Sequence, residues 1–329
     1  MNRREFITML GGAAAAWPLA ARAQQSARMR IGVLLPVLDR GPEPNSRRQL
    51  FLAVLKEFGW TEGENLRIDY ITWSASDADR LPERIAELLR LQPDVVLAGG
   101  TSTVAELIRQ TRTVPVVFIN VADPVRIGFI ESLARPGGNL TGFTNFEYAM
   151  GGKWLQLLKE IKPDLTQTAV LQNPQHPSWA GYLQAIEAAA RPTGMKVVPA
   201  GVHTPEDVDR AISECASVST AGMIVLPDPA MGVLAGSIIG AAAQYRVTAV
   251  YPHIYFVKRG GLMSYGINAD EQLVLAVGYI DRILRGAKPS DLPVQAATKL
   301  DLVINLKTAN ALGLAVPRIL LARASELIE

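Results

Sequence analysis

The chain has 329 residues, with 33 lysines and arginines against 31 aspartates and glutamates, for a net charge of +2. The basic residues are scattered along the sequence, whereas a nucleic-acid-binding protein presents a clustered basic face. The single cysteine, Cys215, excludes an internal disulfide, and its spacing from Val208 and Ile212 predicts a core position on a helix. The length allows two domains of ordinary size.

The first 23 residues have the pattern of an export signal. Asn2-Arg3-Arg4 precedes an apolar run from Ile7 to Ala21, and Ala21-Arg22-Ala23 supplies the small residues that a signal peptidase reads. The paired arginines favour the twin-arginine route. The run of roughly 15 apolar residues is shorter than the ~20 that a membrane-spanning helix needs. We therefore predict a signal peptide over 1–23, cleavage before Gln24, a periplasmic location and a mature chain that is not embedded in the membrane.

Apolar runs alternate with amphipathic stretches through the first half of the remaining chain. The predicted strands lie at 31–35, 66–70, 94–98 and 115–119, and the predicted helices at 46–58, 78–91, 102–111 and 125–134. Continuous apolar strands separated by helices are typical of a parallel sheet that is covered on both faces.

A second series of the same kind begins after Arg135-Pro-Gly-Gly138. Its predicted helices lie at 148–161, 179–190, 205–217 and 231–245, and its predicted strands at 168–171, 196–198, 222–226 and 248–251. The last segment adds a strand at 263–267, a helix at 271–285, a strand at 301–305 and a terminal helix pair. Two series predict an α/β protein with two doubly wound parallel-sheet lobes.

Ligands of open parallel sheets bind beyond the carboxyl ends of the strands, so the loops that follow the strands are the candidate site. The segment Gly99–Thr103 combines glycines with hydroxyl groups and opens a helix, so Thr101 and Ser102 suit a carboxylate or another anion. The alternative is that these residues only cap the helix.

Polar residues follow the other predicted strands. Asp228 lies between two prolines, where its carboxylate suits a ligand ammonium or hydroxyl group, or caps the next helix. Asn120 and Asn173 each end a strand, and Asp123-Pro124 favours a simple helix cap.

Four aromatic side chains lie near the predicted loop ends, where they either form an aromatic wall for a flat ligand group or pack under the loops. They are Trp73, Trp179, Tyr251 and Tyr255.

Signatures of catalysis and of metal binding are absent from the sequence. Ser264 lacks the first glycine of the G-x-S-x-G motif and lies within a strand-like run. The three histidines, His176, His203 and His253, are far apart, which disfavours a metal site or an acid–base pair. We expect no catalytic residue, no metal and no cofactor.

Several motifs spread over nearly all of the mature chain resemble the ABC-transporter substrate-binding family, which includes aromatic-amino-acid-binding receptors. They are Gly99-Gly-Thr, Pro115-Val-Val-Phe, Asp123-Pro124, Leu133-Ala-Arg-Pro-Gly-Gly-Asn-Leu-Thr-Gly142, Lys153-Trp-Leu-Gln-Leu-Leu-Lys-Glu160, Gly260-Gly-Leu-Met-Ser-Tyr-Gly266, Asp291-Leu-Pro-Val-Gln295 and Asn305-Leu-Lys-Thr-Ala309. One departure is Leu226-Pro-Asp-Pro229, where amino-acid-binding relatives tend to have a more polar turn.

The resemblance implies a type I periplasmic-binding fold, in which two lobes are joined by a hinge of three crossovers. We expect the crossovers near 142–144, 265–267 and 293–298. The N-terminal lobe would then comprise 28–142 plus 268–293, and the C-terminal lobe 143–267 plus 299–329.

The resemblance also implies a function, namely capture of a small amino acid, aromatic or carboxylate-bearing ligand between the lobes for an ABC transporter permease. We expect a monomer that binds no nucleic acid. The predicted ligand-binding residues are Thr101, Ser102, Asn120, Thr141, Asn173, Asp228 and Tyr251. The alternatives are a sensory receptor of the same fold and a secreted α/β hydrolase.

Overall fold

The computed structural model describes residues 28–36, 43–73, 79–145, 148–296 and 299–329, with side chains from residue 47 onward in the first helix. The predicted signal peptide at 1–23 lies outside the described residues.

Thirteen strands are described. In chain order they are β1 (Met29–Pro36), β2 (Leu66–Trp73), β3 (Val95–Gly99), β4 (Val116–Val121), β5 (Leu140–Thr144), β6 (Gln167–Gln172), β7 (Lys196–Gly201), β8 (Ala221–Val225), β9 (Thr248–Tyr251), β10 (Met263–Ile267), β11 (Gln295–Ala296), β12 (Leu300–Asn305) and β13 (Glu326–Ile328).

Twelve α-helices are described. They are α1 (Glu43–Glu57), α2 (Leu81–Arg90), α3 (Thr101–Gln110), α4 (Met150–Ile161), α5 (Trp179–Ala190), α6 (Pro205–Ala216), α7 (Pro229–Val233), α8 (Ala235–Gln244), α9 (Ile254–Lys258), α10 (Ala269–Leu284), α11 (Leu306–Leu312) and α12 (Arg318–Arg323).

The first sheet has the strand order β11-β5-β4-β3-β1-β2, and all of its pairs are parallel. Alternate residues of β3 enter two different cores because side chains of a strand point to opposite faces. Leu97 packs in a cluster with Val277 of α10, whereas Val96 packs in a cluster with Ile85 of α2. Helices therefore cover both faces of this sheet.

The second sheet has the order β13-β12-β10-β9-β8-β6-β7 and is also covered on both faces. Val170 packs in a cluster with Leu158 of α4, whereas Leu171 packs with Ile212 of α6. Its pairs are parallel except for β10 and β12, which are antiparallel. The α/β class with two doubly wound lobes is confirmed. The strand predicted at 301–305 is β12, but its antiparallel direction was not predicted.

The chain passes between the two sheets three times, after β5, after β10 and after β11. The strand β5 stays in the first sheet through Thr144, and α10 packs back on β3, β4 and β5 directly after the second passage.

Two predicted helices differ from the structure. The prediction of a helix at 125–134 is wrong: the segment is a series of turns, since Gly128 has a φ of +76° and a non-helical bond joins Glu131 N to Pro136 O. The stretch predicted as one helix at 231–245 is two helices, α7 and α8, which meet at Leu234.

The glycine in β5 beside the first passage allows a close approach of two strands. Gly142 has a φ of +149°, and a Cβ there would overlap the Phe118 carbonyl oxygen and lie 2.6 Å from Phe118 N. We expect Gly142→Ala to lower the free energy of unfolding by about 2 kcal/mol or more, measured by urea unfolding, because the backbone of β4 would have to move. Gly240→Ala in α8 is the control: a Cβ there meets nothing within 4 Å, so this variant should be as stable as the parent or more so. Equal stability of the two variants would contradict the packing argument.

Candidate functional site

A cavity of about 450 Å³ lies where the carboxyl ends of the parallel strands of both sheets meet. Gly100 and Asn120 line it from the first sheet, and His176, Asp228 and Ser264 line it from the second. This position is the one at which open α/β sheets bind ligands, since the loops there leave the strands on the same edge.

The first wall of the cavity is formed by the start of α3. Gly100 precedes the helix with a φ of +89°, and no side chain caps the first turn. The first amide groups of a helix have no intrahelical acceptor, so they carry a partial positive charge. Thr101 also lines the cavity, but its buried hydroxyl oxygen accepts from Ala122 N at 3.2 Å. The backbone of this turn, more than the Thr101 hydroxyl, is suited to an anionic group.

Asn120 is held in an unusual backbone conformation at the end of β4. Its φ is +57°, a left-handed value that asparagine tolerates better than most residues. Its N–H donates to Gln272 Oε1 at 3.1 Å, and Gln272 Nε2 donates to Thr144 O at 2.9 Å. The buried Asn120 Oδ1 has no hydrogen-bond partner among the described residues. An acceptor is therefore fixed in place at the cavity without being used by the protein.

No sequence pattern pointed to Gln272. It is one buried polar residue on the amphipathic helix α10, where glutamine is common, and only the fold brings it to the ends of β4 and β5.

The second wall is centred on Asp228, which begins α7. Its Oδ1 accepts from Ala230 N at 2.5 Å, whereas the buried Oδ2 makes no hydrogen bond and lies 4.0 Å from His176 Nε2. Burial raises the pKa of Asp228, and this is partly offset by the nearby imidazole, by the amide groups of Ala230 and Met231, and by the side chain of Asn173. Burial lowers the pKa of His176, and the carboxylate partly offsets that. Both shifts disfavour the charged forms, so a ligand group that donates to the carboxylate would stabilise its charge.

Tyr182 of α5 contributes a third polar atom without a partner. Its hydroxyl group is buried, lines the cavity and has no hydrogen-bond partner in the described part of the chain. The ring is fixed by an edge-on contact with Tyr148, with centroids 5.1 Å apart and an angle of 84°. Together with Asn120 Oδ1 and Asp228 Oδ2, the hydroxyl makes three buried polar atoms that a ligand can satisfy.

An aromatic stack forms another part of the wall. Tyr251 stacks on Phe256 at 4.9 Å, Phe256 on Tyr255 at 4.4 Å, and Tyr255 on His253 at 5.7 Å. Tyr255 and His253 line the cavity, whereas Tyr251 lies beneath them. Burial and the positive charge of Arg47 lower the pKa of His253 to about 4, so the imidazole is neutral at pH 7.

Three of the seven predicted ligand-binding residues, Thr101, Asn120 and Asp228, line the cavity. Ser102 lies half-buried on the first turn of α3 and is not among the lining residues.

The other three predicted residues also lie outside the lining. Thr141 is fully buried in β5 and donates to Leu292 O at 2.7 Å, and Asn173 Oδ1 accepts from Gln175 N at 3.0 Å. Tyr251 supports the aromatic stack from below.

Two of the aromatic candidates are packed elsewhere. Trp73 is buried and donates from Nε1 to Thr103 Oγ1 at 3.2 Å, and Trp179 packs against the core of the second lobe.

Ser264 lines the cavity from the interior of β10, between β9 and β12, and not from a strand-to-helix turn. In the described part of the chain, no three His, Cys, Asp or Glu residues are grouped to hold a metal ion. The same residues contain no helix that is long and apolar enough to cross a membrane.

The sequence profile of the family described as ABC transporter substrate binding protein matches residues 31–328. The chain belongs to this family.

A tyrosine-binding protein of Clostridioides difficile is 23% identical over 274 residues, which cover 83% of this chain and 78% of that protein. A Streptococcus pneumonia domain solved in complex with L-Trp is 23% identical with a TM-score of 0.82, covering 92% of this chain and all of that one. A conserved domain protein of Vibrio cholerae is 29% identical with a TM-score of 0.83, covering 91% of this chain and 99% of that one. These similarities confirm the type I periplasmic-binding fold that the motifs implied.

The bond from Ala122 N to Thr101 Oγ1 has a measurable effect on stability. Thr101→Val keeps the shape of the side chain but leaves a buried N–H without an acceptor, so we expect the free energy of unfolding to fall by about 1–3 kcal/mol. Urea unfolding of the ligand-free protein measures this. Ser102→Ala, for which no comparable bond exists among the described contacts, should change the stability by less than about 0.5 kcal/mol. An unchanged stability of Thr101→Val would mean that the hydroxyl is free to serve a ligand.

Proposed function

We propose that this chain is the periplasmic substrate-binding protein of an ABC importer, and that it captures a small organic ligand in the cavity between its lobes. The ligand that fits the wall carries a carboxylate, an amine or hydroxyl donor, and a flat apolar group. An aromatic amino acid meets all three conditions.

The observation that carries this proposal is the opposite polarity of the two walls. The first lobe offers the uncapped amide groups of α3, which suit a carboxylate, together with the Asn120 Oδ1 acceptor. The second lobe offers Asp228 Oδ2 and the Tyr182 hydroxyl, which suit an ammonium group. A zwitterion placed between the lobes satisfies both walls at once, so its binding favours the closed arrangement.

The aromatic stack supports the third condition, which is that the ligand carries a flat apolar group. The rings of Tyr255 and His253 lie 18° from parallel, and both line the cavity, so a flat ligand group can stack on them. The relatives agree with this class of ligand, since one is named a tyrosine-binding protein and another was solved with L-Trp.

Contacts that join the two lobes suit a protein that opens and closes. Arg126, in the loop between β4 and β5, donates to Gln184 Oε1 of α5 at 2.7 Å and lies 5.3 Å over the ring of Tyr148. A few polar contacts of this kind stabilise closure only modestly, because surface pairs contribute about 0–1 kcal/mol. The ligand is then the main determinant of the population of the closed form.

The two alternatives differ in what the chain does with its ligand. A sensory receptor of the same fold would use the same cavity and signal through a partner instead of a permease. A secreted hydrolase would need a nucleophile at a sharp turn, and Ser264 lies inside β10. Recovery of the ligand unchanged after binding would argue against the hydrolase.

The first test of the ligand class is a thermal-shift screen of residues 24–329 against amino acids, aromatic acids and small carboxylates. We expect L-tyrosine, L-tryptophan or a related aromatic carboxylate to raise the melting temperature, because a ligand that binds only the folded state stabilises it by mass action. Calorimetry then gives the affinity of each hit.

Asp228→Asn is the matching variant, because its amide oxygen can still accept from Ala230 N, while the charge is lost and an NH2 donor replaces the free oxygen. We expect it to weaken a ligand that carries an ammonium group by about tenfold or more. Asp164→Asn, an exposed position, should leave the affinity unchanged. An unaltered affinity in Asp228→Asn would contradict the proposed role of the second wall.

Export is tested at the other end of the chain. We expect the double replacement of Arg3 and Arg4 by lysine to retain the precursor in the cytoplasm, since the twin-arginine route requires the paired arginines. Cell fractionation with an antibody measures the precursor and the mature form. Unimpaired export of the double variant would point to the general secretory route.

A further inference from the structure

The pair formed by His176 and Asp228 has a geometry that goes beyond a simple acidic wall. His176 Nδ1 accepts a hydrogen bond from Ser178 N at 3.3 Å, which leaves Nδ1 without a proton. A neutral imidazole carries one proton, so the proton lies on Nε2, the atom that faces Asp228 Oδ2 at 4.0 Å. The loop that begins α5 therefore fixes both the tautomer and the orientation of the ring.

We propose that His176 is a positioning residue: its neutral Nε2–H dipole faces the free oxygen of Asp228, stabilises the carboxylate without a hydrogen bond, and makes the second wall selective for a cationic or donor group. The proposal rests on the proposed function in taking this cavity as the ligand site. The Nε2–Oδ2 distance of 4.0 Å is longer than a hydrogen bond, so Oδ2 keeps its accepting capacity for a ligand.

Protonation of His176 works against this arrangement. A proton on Nδ1 would face the Ser178 N–H group, so the charged ring loses the hydrogen bond that orients it. The positive charge of the ring also offsets the negative charge of the carboxylate. The second wall then has no net negative charge, and a cationic ligand binds less tightly.

The sign of the pH dependence follows from the two groups. The ordinary pKa of an imidazole, 6.5, is lowered here, and that of a carboxyl group, 3.8, is raised. As the pH falls, the pair therefore takes up a proton, and uptake by either group removes the net negative charge of the second wall. Affinity for a cationic ligand should therefore decrease as the pH is lowered.

Other titratable groups also line the cavity. Tyr182 of α5, His253 and Lys258 at α9, and Arg47 with Asp270 at the mouth all line it. Lys299, Asp301 and Glu326 line it at the end formed by β12 and β13. Among the described side chains, His176 is the one that forms an ionic contact with Asp228, at 4.0 Å.

The first experiment reads the imidazole directly and needs no ligand. The chain has three histidines, so nitrogen-15 spectra of histidine-labelled protein are assignable with His203→Gln and His253→Gln. We expect His176 to be neutral at pH 7 with its proton on Nε2, and to titrate at lower pH in Asp228→Asn but not in Asp164→Asn. A proton on Nδ1, or a titration that Asp228→Asn does not move, would overturn the proposal.

The second experiment measures binding of L-tyrosine and L-tryptophan by calorimetry at neutral and acid pH. We expect His176→Ala to weaken binding by about tenfold, and His176→Gln, whose neutral amide can place an N–H near the Nε2 position, to restore most of it. We also expect the acid-induced loss of affinity to begin at lower pH in His176→Gln. A glutamine variant as weak as the alanine variant, or a pH profile equal to the parent's, would overturn the positioning role.

The exposed His203→Gln is the control for both readouts and should match the parent protein. If neither amino acid binds the parent protein, the proposed ligand class is wrong. The nitrogen-15 experiment then decides alone whether His176 is fixed toward Asp228.

Discussion

The cavity exists because the strands of both sheets are parallel and buried on both faces. Parallel strands place all of their carboxyl ends at one edge, and helices on both faces leave that edge as the place where loops meet. These ends bring polar groups to the same space, among them Asn120 near the end of β4 and Asp228 after β8. The second sheet adds an antiparallel β12, but its parallel strands β6, β8 and β9 keep the same geometry.

The polar atoms in the cavity walls lower the stability of the ligand-free folded protein. Buried polar atoms without hydrogen bonds are rare because each one loses its interactions with water. Asn120 Oδ1, Asp228 Oδ2 and the Tyr182 hydroxyl are three such atoms on one cavity. Their grouping is difficult to explain by packing, whereas a ligand with several donors accounts for all three. The same reasoning explains why burial raises the pKa of Asp228 and lowers the pKa of His176.

The sequence predicted the architecture well because two-sided burial leaves a strong signal. The strand β3 reads as a continuous apolar run and is buried throughout, as expected for a central parallel strand. The exposed edge strand β13 has only three residues and no apolar run, so the sequence predicted a helix pair at this end of the chain and no strand. The segment at 125–134 has helical spacing, but Gly128 and the Pro136 turn impose another path. Patterns of apolar spacing record burial, and they do not record the turns that a glycine and a short-range backbone bond impose.

The site was predictable only in part, for a related reason. The rule about carboxyl ends pointed to Thr101, Asn120 and Asp228, which all line the cavity. It could not tell that Thr141 donates to Leu292 O in the core or that Tyr251 lies under other rings, since both facts depend on contacts between distant segments. The pairing of His176 with Asp228 joins residues 52 positions apart and has no local signature.

Gln272 links the cavity wall to the segments that join the two lobes. One amide group accepts from the backbone of Asn120, which lines the cavity, and donates to Thr144, the last residue before the chain leaves the first lobe. The same side chain lies on α10, which follows the return passage from the second lobe. A molecule bound to Asn120 would therefore be mechanically coupled to two of the segments that join the lobes.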